Sequence, residues 1–277
     1  MQAVQEKSAT ESPSPLALLA QARGTVILAD DNDTARQRLH HAVRRLCPGL
    51  EVVAECTSGS DAWDAILEHQ PTLALLDVRM PGLTGLDVAR RIGGAAHVVL
   101  LVNDDDPVLA IVRQVEIPVL VKPWDETSIV AALAAALAPM VRGLPPANAR
   151  RSIAAFARQE RRARSTLRSV YGTVNGETAA IPVDQVISLH RDGSHTRVVH
   201  AGGEAMIRAP LKDMVGLLDG AHFWQIDREV IVNRDRILSV HGSPGHPMSV
   251  AVRGAQAAFP VGAAFQWLFA PSQADAA

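Results

Sequence analysis

The chain has 277 residues, 48% hydrophobic and 20% charged, with a formal net charge of −2, which is a soluble globular composition with length enough for two domains. No apolar run approaches the ~20 residues that span a bilayer, and two cysteines, Cys47 and Cys56, cannot build a disulfide scaffold. A membrane span and a disulfide-stapled fold are excluded, and a reduced cytoplasmic protein with two buried thiols is expected.

The opening MQAVQEKSATESPSP has no hydrophobic core behind a basic flank, so it does not read as an export signal. Residues 1–24 are expected to be a disordered extension rich in Ser, Pro, Glu and Gln. From residue 25 the text alternates. TVILA is a short aliphatic run, and DTARQRLHHAVRRL follows with Ala35, Leu39, Val43 and Leu46 at helical spacing. EVVAEC is a second strand, and SGSDAWDAILEHQ a helix capped by Ser58 or Ser60. LALLD, a helix from Gly85 to Ile92, HVVLLV, a helix over 107–115, PVLV and a helix from Asp125 to Leu137 complete the series. Aliphatic runs separated by amphipathic helices predict an α/β doubly wound, five-stranded parallel sheet over residues 25–138, buried on both faces. In such sheets, sites form outside the carboxyl ends of the strands.

At those ends stand Asp30 and Asp31, Asp77, and Lys122 followed by Pro123. An aspartate closing an aliphatic strand is costly unless a cation meets it. Three carboxylates brought to one edge should collect a hard divalent cation, most simply Mg2+, with Lys122 as the balancing charge. A carboxylate between two cations is set up to attack phosphorus and hold the product, which makes Asp77 the candidate nucleophile. The Met-Pro-Gly turn after it leads the chain away.

ILADDNDTAR, LALLDVRMPG and VLVKPW closely resemble the receiver domain of two-component response regulators, a flavodoxin-like fold. The resemblance implies Asp77 as phosphoacceptor, with Asp30, Asp31, Asp77 and the main-chain carbonyl of Arg79 around Mg2+. It also implies Lys122 as phosphoryl partner, a cis bond at Lys122–Pro123 and a sensor histidine kinase as partner. Two positions depart from the family pattern. Val102 stands where a switch Ser or Thr is usual, and Val119 where an aromatic is usual.

Residues 139–169 are expected to be a Pro-broken, Arg-rich helical linker, with eight arginines and one acid, Glu160, between Arg142 and Arg168. It reads as a solvated connector or as a contributor to dimer pairing or DNA approach through Ile153 and Phe156. Beyond it, short alternating runs broken by NG, DG and GG turns surround one helix, LKDMVGLLDG. They predict a compact, mostly antiparallel β domain over 170–270, followed by a disordered tail at 271–277.

IPVDQVISLHRDGSHTRVVHAGGEAMIRAPLKDM and FWQIDREVIVNRDRI resemble the LytTR family of DNA-binding domains, in which strand loops enter major grooves. The resemblance implies double-stranded DNA as partner, with His195, Arg197, Arg228, Asn233 and Arg234 at the interface and a homodimer on paired half-sites. For Asn233, a structural side-chain bond is an equal alternative. Asp227 and Glu229 flank Arg228 in sequence, and if strand alternation holds through them they face away from it. Residues 171–277 carry eight Lys and Arg against ten Asp and Glu, an acidic balance for a DNA binder. The leading expectation is a phosphorylation-controlled DNA-binding transcriptional regulator with no enzyme activity beyond the Asp77 chemistry. The alternative is a protein-interaction or sequestration module with weak or no DNA binding.

Overall fold

The computed structural model describes residues 13–113, 117–146, 167–174 and 176–269. Its N-terminal half is a five-stranded sheet of β1 (Gly24–Ala29), β2 (Leu50–Cys56), β3 (Leu73–Asp77), β4 (His97–Asn103) and β5 (Val119–Lys122). All neighbours pair in parallel, in the order β2-β1-β3-β4-β5. Every residue of β3 is buried, as a central strand covered on both faces requires.

The helices begin where short polar side chains can satisfy free amides. Asn32 caps α2 (Asp33–Leu46) by accepting from Ala35 N, and Ser58, not Ser60, caps α3 (Gly59–His69) by accepting from Asp61 N. Thr84 with Asp87, and Asp125 with Ser128, close reciprocal capping boxes at α4 (Gly85–Ile92) and α6 (Glu126–Val141). The helix expected over 107–115 is shorter, α5 (Leu109–Val112), and residues 114–116 lie outside the described residues. Cys47 and Cys56 are buried free thiols, and burial pushes both up to about 11.

Two expectations at the edges of this half need correction. The disordered lead-in does not extend through residue 24, because Pro15–Gln21 forms α1, with Ser14 as its cap. Leu18 and Leu19 are buried in one apolar cluster with Leu133 and Leu137 of α6. Burying two leucines offsets the entropy of ordering a short, otherwise marginal helix. The linker also begins later than residue 139, since α6 runs through Pro139 to Val141. The Arg-rich segment falls mainly on residues 147–166, which, like residues 1–12 and the tail from 270, lie outside the described residues.

The C-terminal half consists of β6 (Ser169–Val174), β7 (Glu177–Pro182), β8 (Val186–Asp192), β9 (His195–His200) and β10 (Gly203–Ile207). The helix α7 (Leu211–Leu217), β11 (Phe223–Asp227) and β12 (Val230–Asn233) follow. Its seven strands form one sheet in the order β11-β12-β8-β9-β10-β6-β7. A second, three-stranded sheet holds β13 (Ile237–His241), β14 (Ser249–Val252) and β15 (Phe259–Pro260). All these pairings are antiparallel. The β8–β9 hairpin turns at Gly193, whose φ of 58° suits a residue without a Cβ.

The two halves share a core. One apolar cluster runs from Leu76, Trp63 and Leu83 on the α3–α4 face of the parallel sheet into Phe265, Met214 and Ile226 of the β half.

Candidate functional site

The parallel register brings the acids together. Ala29 pairs with Leu76, so Asp30 and Asp77 emerge side by side from β1 and β3. Across β4, Asn103 pairs with Lys122, which sets the lysine at the same edge. Its Nζ lies 2.8 Å from Asp77 Oδ2 and 2.7 Å from Asp30 Oδ2. Both carboxylates are buried, at 3% and 0% exposure, whereas Asp31 is open to solvent. Asp30, Asp31 and Asp77 each offer an oxygen, all within 4.8 Å of one another. One ammonium against three carboxylates leaves an excess of negative charge, and an all-oxygen donor set with that excess fits a hard divalent cation.

Backbone and neighbours fix the two buried acids. Asn32 N donates to Asp30 Oδ1 at 2.9 Å, and Arg79 N donates to Asp77 Oδ1 at 3.2 Å. Burial pushes the Asp77 carboxyl up to about 6, against the opposing pull of the Lys122 ammonium. Burial pulls Lys122 down, but its bonds to Asp30 and Asp77 outweigh this and leave it above the ordinary lysine value. The Lys122–Pro123 bond is cis. Val102 is 1% exposed and belongs to the apolar cluster with Leu76 and Leu100, and Val119 packs half-buried against the same cluster. Arg79 pairs with Asp106, with Nε 2.6 Å from Oδ2 and Nη2 2.9 Å from Oδ1. Asp106 also accepts from Val108 N, and its carboxyl is held below the ordinary value chiefly by Arg79.

The structure disperses the five residues read as DNA-facing. His195 is exposed at the start of β9, 3.1 Å from Ser194 Oγ. Arg197 pairs with Glu204 across the neighbouring strand at 2.8 Å. Asn233 is buried: its Nδ2 donates to Val186 O at 3.0 Å and its Oδ1 accepts from Asp235 N at 3.0 Å, so both ends of the amide serve the fold. Arg234 stacks over the Trp224 ring with its guanidinium carbon 4.8 Å from the centroid. Arg228 turns toward the parallel-sheet half, its Nε 3.1 Å from Asp64 Oδ1 and its Nη2 2.9 Å from Glu68 Oε2. The alternation expected across residues 227–229 does not hold. Asp227 pairs directly with Val230, and Arg228 and Glu229 form the turn between β11 and β12, with Asp227 Oδ1 accepting from Glu229 N.

Sequence reasoning missed the junction that captures Arg228. Asp61 of α3 pairs with Lys212 of α7, and Trp63 Nε1 donates to Gln225 Oε1 at 2.9 Å in a buried bond. The Trp63 ring meets Phe265 edge-on with centroids 5.8 Å apart. A signal existed, because Asp61, Asp64 and Glu68 recur at the spacing of one helix face beside a large aromatic.

Comparison with known proteins agrees with this architecture. The response regulator receiver domain family matches residues 26–134, and the LytTr DNA-binding domain family matches residues 176–269. A response regulatory protein of Vibrio cholerae serotype O1 is 29% identical over 257 residues, covering 88% of this chain and 97% of its own. The positive alginate biosynthesis regulatory protein of Pseudomonas aeruginosa is 29% identical over 226 residues, covering 80% and 87%. Among solved structures, the signal receiver domain of the response regulator NarL from Mycobacterium tuberculosis is 32% identical with a TM-score of 0.35, covering 40% of this chain and 93% of that one. The chain belongs to the DNA-binding two-component response regulators, with a receiver domain followed by a LytTR domain. The interaction-module alternative gives way to that assignment. Among the described residues no helix is long and apolar enough to cross a membrane.

Proposed function

We propose that Asp77 is the phosphoacceptor and that its phosphorylation by a sensor histidine kinase controls binding of a cytoplasmic homodimer to double-stranded DNA. The observation that carries this reading is the placement of one lysine between two buried aspartates, of which Asp77 keeps 3% exposure and Asp30 none. An Asp77 oxygen attacks phosphorus as the bond from phosphorus to the donor's leaving group breaks, and Lys122 neutralises charge on the transferring oxygens. Asp30, Asp31, Asp77 and the Arg79 carbonyl would hold Mg2+, which supplies further charge neutralisation on those oxygens. Val102 and Val119 lack the hydroxyl and the ring of the usual relay, so the phosphorylated state must reach the LytTR domain by other contacts.

Mass spectrometry of the chain incubated with acetyl phosphate and Mg2+ tests the chemistry. An acid-labile, hydroxylamine-sensitive phosphoryl adduct is expected on the intact protein and should be absent from Asp77→Asn. Persistence of the adduct in that variant would overturn the assignment. On the DNA side, Arg228 at the β11–β12 turn is the proposed reading residue, with His195 and Arg197 at the start of β9. Arg234 and Asn233 position that surface through Trp224 and Val186.

A further inference from the structure

The β11–β12 turn cannot meet DNA in the arrangement described, because its arginine is already occupied. Arg228 is held by Asp64 and Glu68, and Lys212 by Asp61, all on the one face of α3 that looks at the LytTR domain. The three acids lie one and two helical turns apart, a row of negative charge with the spacing of successive turns. Arg228 and Lys212 both line a small cleft with Asp64, Trp63 and Gln225, so the two cations converge on one stretch of the helix. Beneath these ion pairs lie the Trp63–Gln225 bond and the Trp63–Phe265 contact, which fix the register of the two domains.

We infer that the acidic face of α3 is an intramolecular substitute for DNA phosphate, which holds the β11–β12 turn closed and competes with DNA for Arg228. The inference rests on the reading of Arg228 as a DNA-contacting residue. Contacts of the loop after Asp77 connect the acid pocket to the clasp. The loop after Asp77 lies against the start of α3, where Gly59 N donates to Pro81 O at 3.1 Å. The same loop touches α7: a Cβ placed on Gly216 would meet Gly82 backbone atoms at 2.7–3.0 Å. Gly82 itself has a φ of 74° and abuts Ser60 beside the α3 cap. A shift of the 78–84 loop would therefore push on both partners of the clasp, α3 and α7, at once.

The test uses the full chain with Asp61→Asn, Asp64→Asn and Glu68→Gln combined, without any phosphodonor, so it does not depend on the Asp77 chemistry. The probe is a fluorescent duplex enriched from a random library on that acid-neutralised chain, and the readout is anisotropy at fixed salt. The neutralised chain should bind this duplex about 10-fold or more tightly than the wild type, within the range of intramolecular couplings. Adding Arg228→Ala should remove that gain. Equal binding by wild type and neutralised chain would overturn the competition. A gain that survives Arg228→Ala would overturn the role of Arg228 in it. Failure of the DNA-contact reading shows separately, as an Arg228→Ala substitution that leaves binding of the neutralised chain unchanged while small-angle scattering shows its domains have separated.

Discussion

The acid pocket and the interdomain clasp are both clusters of carboxylates around a basic side chain, yet they hold charge in opposite ways. In the pocket, Asp30 and Asp77 are almost wholly buried and share one ammonium, so each charge depends on the others. In the clasp, Asp61, Asp64, Glu68, Lys212 and Arg228 are all partly exposed, and each pair is screened by solvent. Buried charge is suited to chemistry that needs a fixed field, whereas half-exposed charge is suited to a contact that must open and reclose. What gives the clasp its geometry is the apolar and amide contact beneath it, centred on Trp63, which is 3% exposed.

The largest effect should come from removing that centre. Trp63→Ala deletes the ring against Phe265 and leaves the Gln225 amide without its donor, at a cost of about 3–5 kcal/mol. Because the apolar core is continuous between the domains, the wild type should unfold in one calorimetric transition and the variant in two. One transition in both would show that the clasp does not rest on Trp63.

Lys122→Ala comes next, since it strands two buried carboxylates without their cation. A loss of about 3 kcal/mol in chemical unfolding is expected, partly recovered when Mg2+ is added. Unchanged stability would mean that the pocket acids are neutral without the lysine.

The smallest effect concerns pH at the clasp. Burial raises the Asp61 carboxyl, but the Lys212 and Ser58 bonds overcome it and leave the group below its ordinary value of 3.8. A depressed carboxylate contributes stability above its unfolded value and loses it as pH falls through the folded one. Closure, followed by the emission of Trp63 against its Gln225 contact, should hold at neutral pH and weaken only below about pH 4. Asp61→Asn should reduce that acid-side dependence, and a dependence left unchanged would place its origin in another group.

The pocket was legible in the sequence because strand ends leave a local mark. An aliphatic run that stops on Asp or Lys reports its own burial and its own edge, and parallel pairing then aligns those edges without further information. The α3 cap was local in the same sense, although the sequence left it open between Ser58 and Ser60. The α1 helix and the extension of α6 through Pro139 were not, because each is stabilised by leucines from the other end of the domain. Asn233 was left open between a structural bond and a DNA contact until Val186 O supplied its partner.

The sequence by itself determined the order of the elements, the parallel sheet with its acidic edge and lysine, and the change to an antiparallel β domain. It could not determine where Arg228 points. Its neighbours Asp227 and Glu229 bond each other across the turn, and the acids that hold it lie 160 and 164 positions away. Periodicity and residue type carry information over the few residues that share a helix face or a strand. The pairing of one domain's acidic helix face with the other's basic turn is decided only when Trp63, Gln225 and Phe265 close the junction and set the distance between them.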